Sequence, residues 1–212
     1  HDLTLSGSYK WLQFMISYQR EKDAILYITE QYKKNPAITT VTHRNFNRID
    51  NFSAFLTASP AVGSWHPQLT VGVQKQWAKI EHNGETLQMD TPLFFCTLNN
   101  GIQLPYHWTL STDINFQSKG DYQNIYMYQN VFMMNATLTK SFLNEHLSIH
   151  LQGIDLTHGR KDGNRIYNKH MNMDVANVSD SRELRFTIRY KFNTAKSKYK
   201  GKGAATEEIK RL

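Results

Sequence analysis

Arg182-Glu-Leu-Arg-Phe-Thr-Ile-Arg-Tyr-Lys-Phe-Asn193 decides how the chain is read. Leu184, Phe186, Ile188, Tyr190 and Phe192 alternate without a break with Arg185, Thr187, Arg189, Lys191 and Asn193, which is the period of a strand with one apolar and one polar face. A helix would scatter both sets around its circumference. At about 3.3 Å per residue and a tilt near 45°, Leu184 to Asn193 covers roughly the hydrocarbon thickness of an outer membrane. The stretch is long enough to cross a bilayer as a strand, so the rest of the chain must be asked whether it offers partners of the same kind.

Composition permits this reading without announcing it. The 212 residues carry a net charge of +7 and 40% hydrophobic residues, and the mean hydropathy is -0.58. Such an average fits a water-soluble domain, but it fits a barrel equally, because lipid-facing and lumen-facing residues alternate and cancel in any window. No run of about 18 apolar residues exists to form a transmembrane helix. The first residues lack the basic and apolar segments of a signal peptide, so a surface-exported chain is expected to be the later part of a longer one. Cys96 stands alone, which excludes an intrachain disulfide and a multi-cysteine metal site. Between Thr194 and Leu212 lie Lys196, Lys198, Lys200, Lys202, Lys210 and Arg211 against Glu207 and Glu208, so four of the seven excess charges sit in the tail and no nucleic-acid partner is expected.

Outward from the closing stretch, further segments repeat its pattern. Leu3, Leu5 and Tyr9 lead through a short turn to Leu12, Phe14, Ile16 and Tyr18, and the chain returns through Phe52, Ala54, Leu56 and Ala58 after an Asn35-Pro36 loop. Phe55 interrupts that third strand and suggests a bulge or a local misreading of the pattern. Leu69, Val71, Val73 and Trp77 alternate with uncharged polar partners, although Lys75 falls on the apolar side. A loop from His82 leads to Phe94, Cys96, Leu98, Ile102 and Leu104, and then to Trp108, Leu110, Ile114 and Phe116. The next strand is expected to run from Tyr126 through Phe132 and Met134 to Leu138. Leu147, Ile149 and Leu151 follow, and Gly153 shifts the phase to Ile154 and Leu156, as a bulge would. His158 to Asp180 reads as a long polar loop.

About nine strands result, with tight turns near residues 9–11, 59–67, 104–107 and 142–146, longer connections near 29–40, 81–92 and 157–180, and a connection near 118–123 that reads as short on either count. Trp11, Trp65, Trp108, Tyr9, Tyr106 and Phe142 gather at the tight-turn ends, as an interfacial girdle would. The expected fold is therefore all-β, an antiparallel up-and-down transmembrane β-barrel over residues 1–193 with a basic periplasmic tail over 194–212. A soluble β-sandwich binding module also alternates apolar and polar residues, but its strands are usually nearer six residues than ten. Because bacterial single-chain barrels have even strand numbers, nine strands are expected to be the C-terminal portion of a larger one.

The closing Ser181 to Asn193 segment, followed by Lys196-Ser-Lys-Tyr-Lys-Gly-Lys-Gly-Ala204 and Glu207-Glu-Ile-Lys-Arg-Leu212, resembles the C-terminus of outer-membrane β-barrels of the TonB-dependent receptor type found in the Bacteroidetes. The resemblance implies the last nine strands of a 22-stranded barrel in the cell outer membrane, working as a transporter for an unidentified nutrient. Its implied partners are outer-membrane lipid, the upstream barrel and plug of the same protein, and TonB through that plug. A plugless structural or assembly barrel is the alternative. No catalytic, cofactor-binding or metal residues are expected: His146 and His150 are four apart, but on a strand His150 points with Ser148 and Gln152 into the polar face. Asp155, His158 and His170 read as a solvated loop, and no nucleophile elbow marks an enzyme.

Overall fold

A computed structural model describes residues 1–192 apart from Lys33, Asn83, residues 169–171 and Ser179, so the basic tail lies outside the described residues. The strands are β1 (Asp2–Tyr9), β2 (Leu12–Tyr32), β3 (Asn35–Ala58), β4 (Trp65–His82), β5 (Glu85–Met89), β6 (Leu93–Leu104), β7 (Trp108–Gln117), β8 (Gly120–Tyr122), β9 (Ile125–Met127), β10 (Val131–Phe142), β11 (Leu147–Ile154), β12 (Lys161–Tyr167), β13 (Asn172–Val178) and β14 (Glu183–Tyr190). The main sheet runs β1-β2-β3-β4-β6-β7-β10-β11-β14, with β5 added to β4, and a second sheet runs β13-β12-β9-β8. The nine strands of the main path are the nine that the alternation marks, each antiparallel to its neighbour.

Register explains why the apolar residues were chosen. Leu5, Ile16, Ala54, Val73 and Phe94 are successive partners from β1 to β6. Leu98, Ile114 and Met134 continue one face through β7 and β10, and Leu138, Leu151 and Phe186 carry it to β14. No second layer covers these side chains: Leu5 is 62%, Phe94 51% and Phe186 63% exposed, and Ala54, Val73, Leu98, Ile114, Met134 and Leu138 are half-buried among their neighbours. An unpartnered apolar face that spans nine strands suits hydrocarbon and is untenable against water. The polar pair within it satisfies itself, since Asn100 Nδ2 donates to Thr112 Oγ1 at 3.0 Å while Asn100 Oδ1 accepts from the Trp65 indole at 3.1 Å.

Several expectations need correction. Phe55 makes no bulge: the β2–β3 and β3–β4 registers pass through it unbroken, opposite Met15 and Gly72. It points to the inner face with a physical cause, because a Cβ on Gly72 would stand 2.3 Å from the Phe55 ring, and the Phe55 and Phe95 rings approach to 6.4 Å across that glycine. Gly153 makes no bulge either. It pairs with both Ala136 and Leu184, and the phase changes because the strand ends at Ile154, before Asp155 takes a φ of +46°. The expected long loop at 29–40 is a hairpin extension in which β2 and β3 remain paired to Gln31 and Thr39. Tyr126 belongs to β9 of the second sheet and not to the membrane strand, which starts at Val131. Finally, the connections at 81–92 and His158–Asp180 contain β5, β12 and β13, and the expected short turn near 118–123 opens a longer connection that contains β8 and β9.

The two ends of the main sheet differ in kind. At one end the connections between β1 and β2, β3 and β4, β6 and β7, and β10 and β11 are short, and Trp11, Trp65 and Trp108 cluster there as expected. At the other end β2, β3 and β4 run for 21, 24 and 18 residues, far beyond the roughly ten that cross a bilayer. All strands of the second sheet arise from connections at this end. His1 lies at the extended end, its carbonyl accepting from Arg20 N–H, and Lys191 lies at the short-turn end, donating to His146 O.

A candidate binding cavity at the mouth of the sheet

The inner wall is polar because its positions interleave with the lipid-facing ones. Hydroxyls and amides pair directly across strands: Ser17 with Ser53 at 2.7 Å, Thr57 with Thr70 at 3.0 Å, and Thr97 with Asn115 at 3.2 Å. His150 belongs to this ladder as expected, with Nδ1 3.0 Å from Thr139 Oγ1 and Nε2 2.9 Å from Ser148 Oγ. A serine and a histidine thus meet, but hydroxyls occupy both ring nitrogens, and a nucleophile would need a carboxylate or amide behind the ring to fix its tautomer. The arrangement serves as a hydrogen-bonded wall.

Towards the extended end the inner wall turns apolar. Asp23 takes a φ of +54° within β2, and beyond it the strand's phase reverses: Ala24, Leu26 and Ile28 are buried, while Ile25 and Tyr27 are 61% and 67% exposed. Ala24 and Leu26 join Ile49, Ala78, Ile80 and Met89 in a buried cluster, flanked by Phe46, Leu87, Tyr126 and Tyr167. Tyr126 and Tyr167 come from the second sheet, so this cluster is the seat on which that sheet rests. Polar clamps fix it further. Gln76 Nε2 donates to Gln123 O at 2.8 Å while Gln76 Oε1 accepts from Gln123 N at 2.6 Å. Asp121 accepts from Thr91 N at 2.8 Å, and Asn124 Nδ2 donates to Tyr27 O of β2 at 3.4 Å as well as to Tyr167 O within the second sheet at 3.2 Å.

Beneath the clamp lies a cavity of 240 Å³. Ser17, Gln19, Asn51, Ser53 and Gln74 offer hydroxyls and amides from the inner wall, with Glu21 at the rim and Tyr122 and Gln123 closing from the second sheet. Such a lining favours a polar ligand recognised by hydrogen bonds and by one aromatic face. Sequence reasoning misses this site because its two halves lie 48 to 106 residues apart and the closing half reads as a turn.

Asp155 is also placed differently from expectation. It is 1% exposed and not solvated: Oδ1 accepts from Gly159 N at 2.8 Å, Oδ2 from Arg160 N at 3.3 Å, and the Ser181 hydroxyl donates to Oδ2. Burial pushes its carboxyl up, but the Ser181 hydroxyl and the two amides outweigh burial and hold it below the usual carboxylate range. Asp155 therefore ties both ends of the long β11–β14 connection together. His158 lies in the same loop, and His170 is outside the described residues. Among the described residues no cluster of His, Cys, Asp or Glu could hold a metal ion.

A model of the outer membrane protein beta-barrel family matches residues 1–190. The chain belongs to that family. No curated protein matches it, and no solved structure does. As an outer-membrane β-barrel protein, it places the bare apolar face in lipid and the polar ladder in the lumen, which accounts for both faces of the nine-strand sheet. No helix among the described residues is long and apolar enough to cross a membrane, and the crossing is made by strands.

Proposed function

We propose that this barrel chain is the C-terminal part of a TonB-dependent-receptor-like transporter that admits a polar nutrient through the extended end. The observation that carries the reading is the second sheet, seated on the inner wall by an apolar cluster and a two-bond amide clamp, with a polar cavity beneath it. A passive structural barrel has no need for connections folded into a cover over its own lumen. Short turns are periplasmic and long loops extracellular in outer-membrane barrels, so the cover faces the medium. The role includes no chemical step, and upstream barrel, plug and TonB are its partners.

A reversible lock tests it. In the full-length protein, Gln76→Cys combined with Gln123→Cys sets one thiol on the wall and one on the cover. Deletion of the gene is expected to abolish growth on at least one polar carbon source in a panel of oligosaccharides and peptides. The oxidised double variant should reproduce that loss, and reductant should reverse it. Loss of TonB should have the same effect; a deletion phenotype independent of TonB would replace the transporter by a plugless barrel.

A further inference from the structure

Just above the apolar belt, the outer wall of β2, β3 and β4 changes character. Tyr18, Phe52 and Lys75 form one row of partners, and Arg20, Asp50 and Trp77 form the next. Arg48 and Lys79 follow on the same face. Asp50, 7% exposed, organises the group: Oδ1 accepts from Arg20 Nε at 2.9 Å and from the Tyr18 hydroxyl at 3.0 Å, while Oδ2 accepts from Arg48 Nε at 2.7 Å. One carboxylate thus holds two guanidiniums in fixed poses and leaves positive charge in excess. Lys75 adds its ammonium, 5.3 Å from the centre of the Trp77 ring.

Above Ala78 the β3–β4 ladder ends, while β4 goes on paired with β5 along its other edge. The parting leaves a notch of 470 Å³ lined by Arg48, Asp50, Trp77, Lys79, Gln88 and Asp90. Arg20, Arg48, Lys75 and Lys79 face Asp50 and Asp90 here, a net excess of two cations. Asp50 and Arg48 lie two and four residues beyond Phe52, roughly 5 and 9 Å higher along the membrane normal for a strand tilted near 45°, which is the depth of the headgroup layer. Tyr18 and Trp77 are the amphipathic aromatics that favour this depth.

We propose that the notch binds the phosphate of an outer-leaflet lipid headgroup, with Arg48 and Lys79 as the ligating cations and Arg20 and Lys75 at its margin. Asp50 Oδ2 takes Nε and Nη2 of Arg48, so Arg48 meets a phosphate oxygen through the remaining edge of its guanidinium, and Gln88 supplies a neutral donor beside it. A lipid is favoured over a soluble anion because the notch opens on the face that carries the hydrocarbon-exposed side chains.

The test uses the full-length protein in detergent and native mass spectrometry, with phosphatidic acid, diacylglycerol of the same acyl chains, and inorganic phosphate as probes. Phosphatidic acid should remain bound to the wild type and diacylglycerol should not. Arg48→Gln with Lys79→Gln should lower phosphatidic acid occupancy about tenfold. Lys79→Glu, which leaves the Arg20–Asp50–Arg48 group intact, should lower it similarly while keeping heat-modifiable mobility. Arg185→Gln with Arg189→Gln, the same charge change on the inner face of β14, should leave it unaltered. Equal loss in that control, unchanged binding in the notch variants, or displacement by millimolar inorganic phosphate would each overturn the proposal.

Discussion

The membrane belt and the mouth bury apolar side chains on opposite faces of the same strands. In the belt, Phe14, Ile16 and Leu56 point outward and are bare, and the inner face carries Ser17, Ser53 and Thr57. In the mouth, Leu26, Ile49 and Ile80 point inward and are buried, and the outer face of β2 shows Ile25 and Tyr27. Asp23 marks the boundary on β2. The difference teaches that solvent, not strand, assigns the face: where lipid is outside, apolar groups face out, and where water is on both sides a cover must be folded to hide them. The belt then depends on lipid for its stability, and the mouth depends on the second sheet.

The sharpest way to break that comparison is a charge on the belt. Ile188→Lys sets an ammonium near the middle of the lipid face, at a cost of about 2–4 kcal/mol at the midplane, whereas Thr187→Lys points to the lumen beside His150. The inserted fraction, read by heat-modifiable mobility, should fall for Ile188→Lys and hold for Thr187→Lys. Tryptophan in place of Phe186 should be quenched by brominated acyl chains, and tryptophan in place of Thr187 should not. Quenching at neither position would remove the lipid assignment of the outer face.

A smaller effect is expected where the mouth is weakened. Ile80→Ala opens a hole in the seat of the second sheet and costs about 2 kcal/mol, the low end for such truncations because the seat is a single layer. Limited proteolysis should cut faster within 118–130 and 155–182, while heat-modifiable mobility stays that of the wild type. Loss of barrel formation in this variant would mean that belt and mouth fold as one unit.

The belt was legible in the sequence and the mouth was not, for a physical reason. A lipid-facing strand must alternate along its whole length, so the period of two in Leu184 to Phe192 or Leu147 to Leu151 carries the fold by itself. The strands that cover the mouth, β8, β9, β12 and β13, are short and their apolar residues few. Tyr126 and Tyr167 fit the seat only through packing against the buried cluster of β2–β5 residues, which no local pattern encodes. Phe55 and Gly153 mislead because alternation is a property of one strand alone. The glycine opposite Phe55 and the strand end after Gly153 are cross-strand facts.

Acid should loosen the mouth more than the belt, and this is the smallest of the effects. Asp155 titrates below its ordinary value in the folded protein, so its stabilisation of the β11–β14 connection is fully present above about pH 4 and is lost as the pH falls through its folded value. Protonation removes an acceptor for the Gly159 and Arg160 amides, and Ser181, which anchors the start of β14, loses its charged partner. Hydrogen bonds to a charge contribute on the order of 1 kcal/mol net, so the opened population of residues 155–182 should rise roughly fivefold. Hydrogen exchange at Gly159 and Arg160 measures it, compared between pH 6 and pH 3 after correction for the intrinsic rates. Asp155→Asn keeps the shape but not the charge, and it should show the faster exchange already at pH 6 with little further change at pH 3. Belt amides such as Ile149 and Leu151, locked in ladders on both sides, should exchange alike under all these conditions. Acceleration of belt and mouth together would mean that acid acts on the whole barrel and that Asp155 is not the latch.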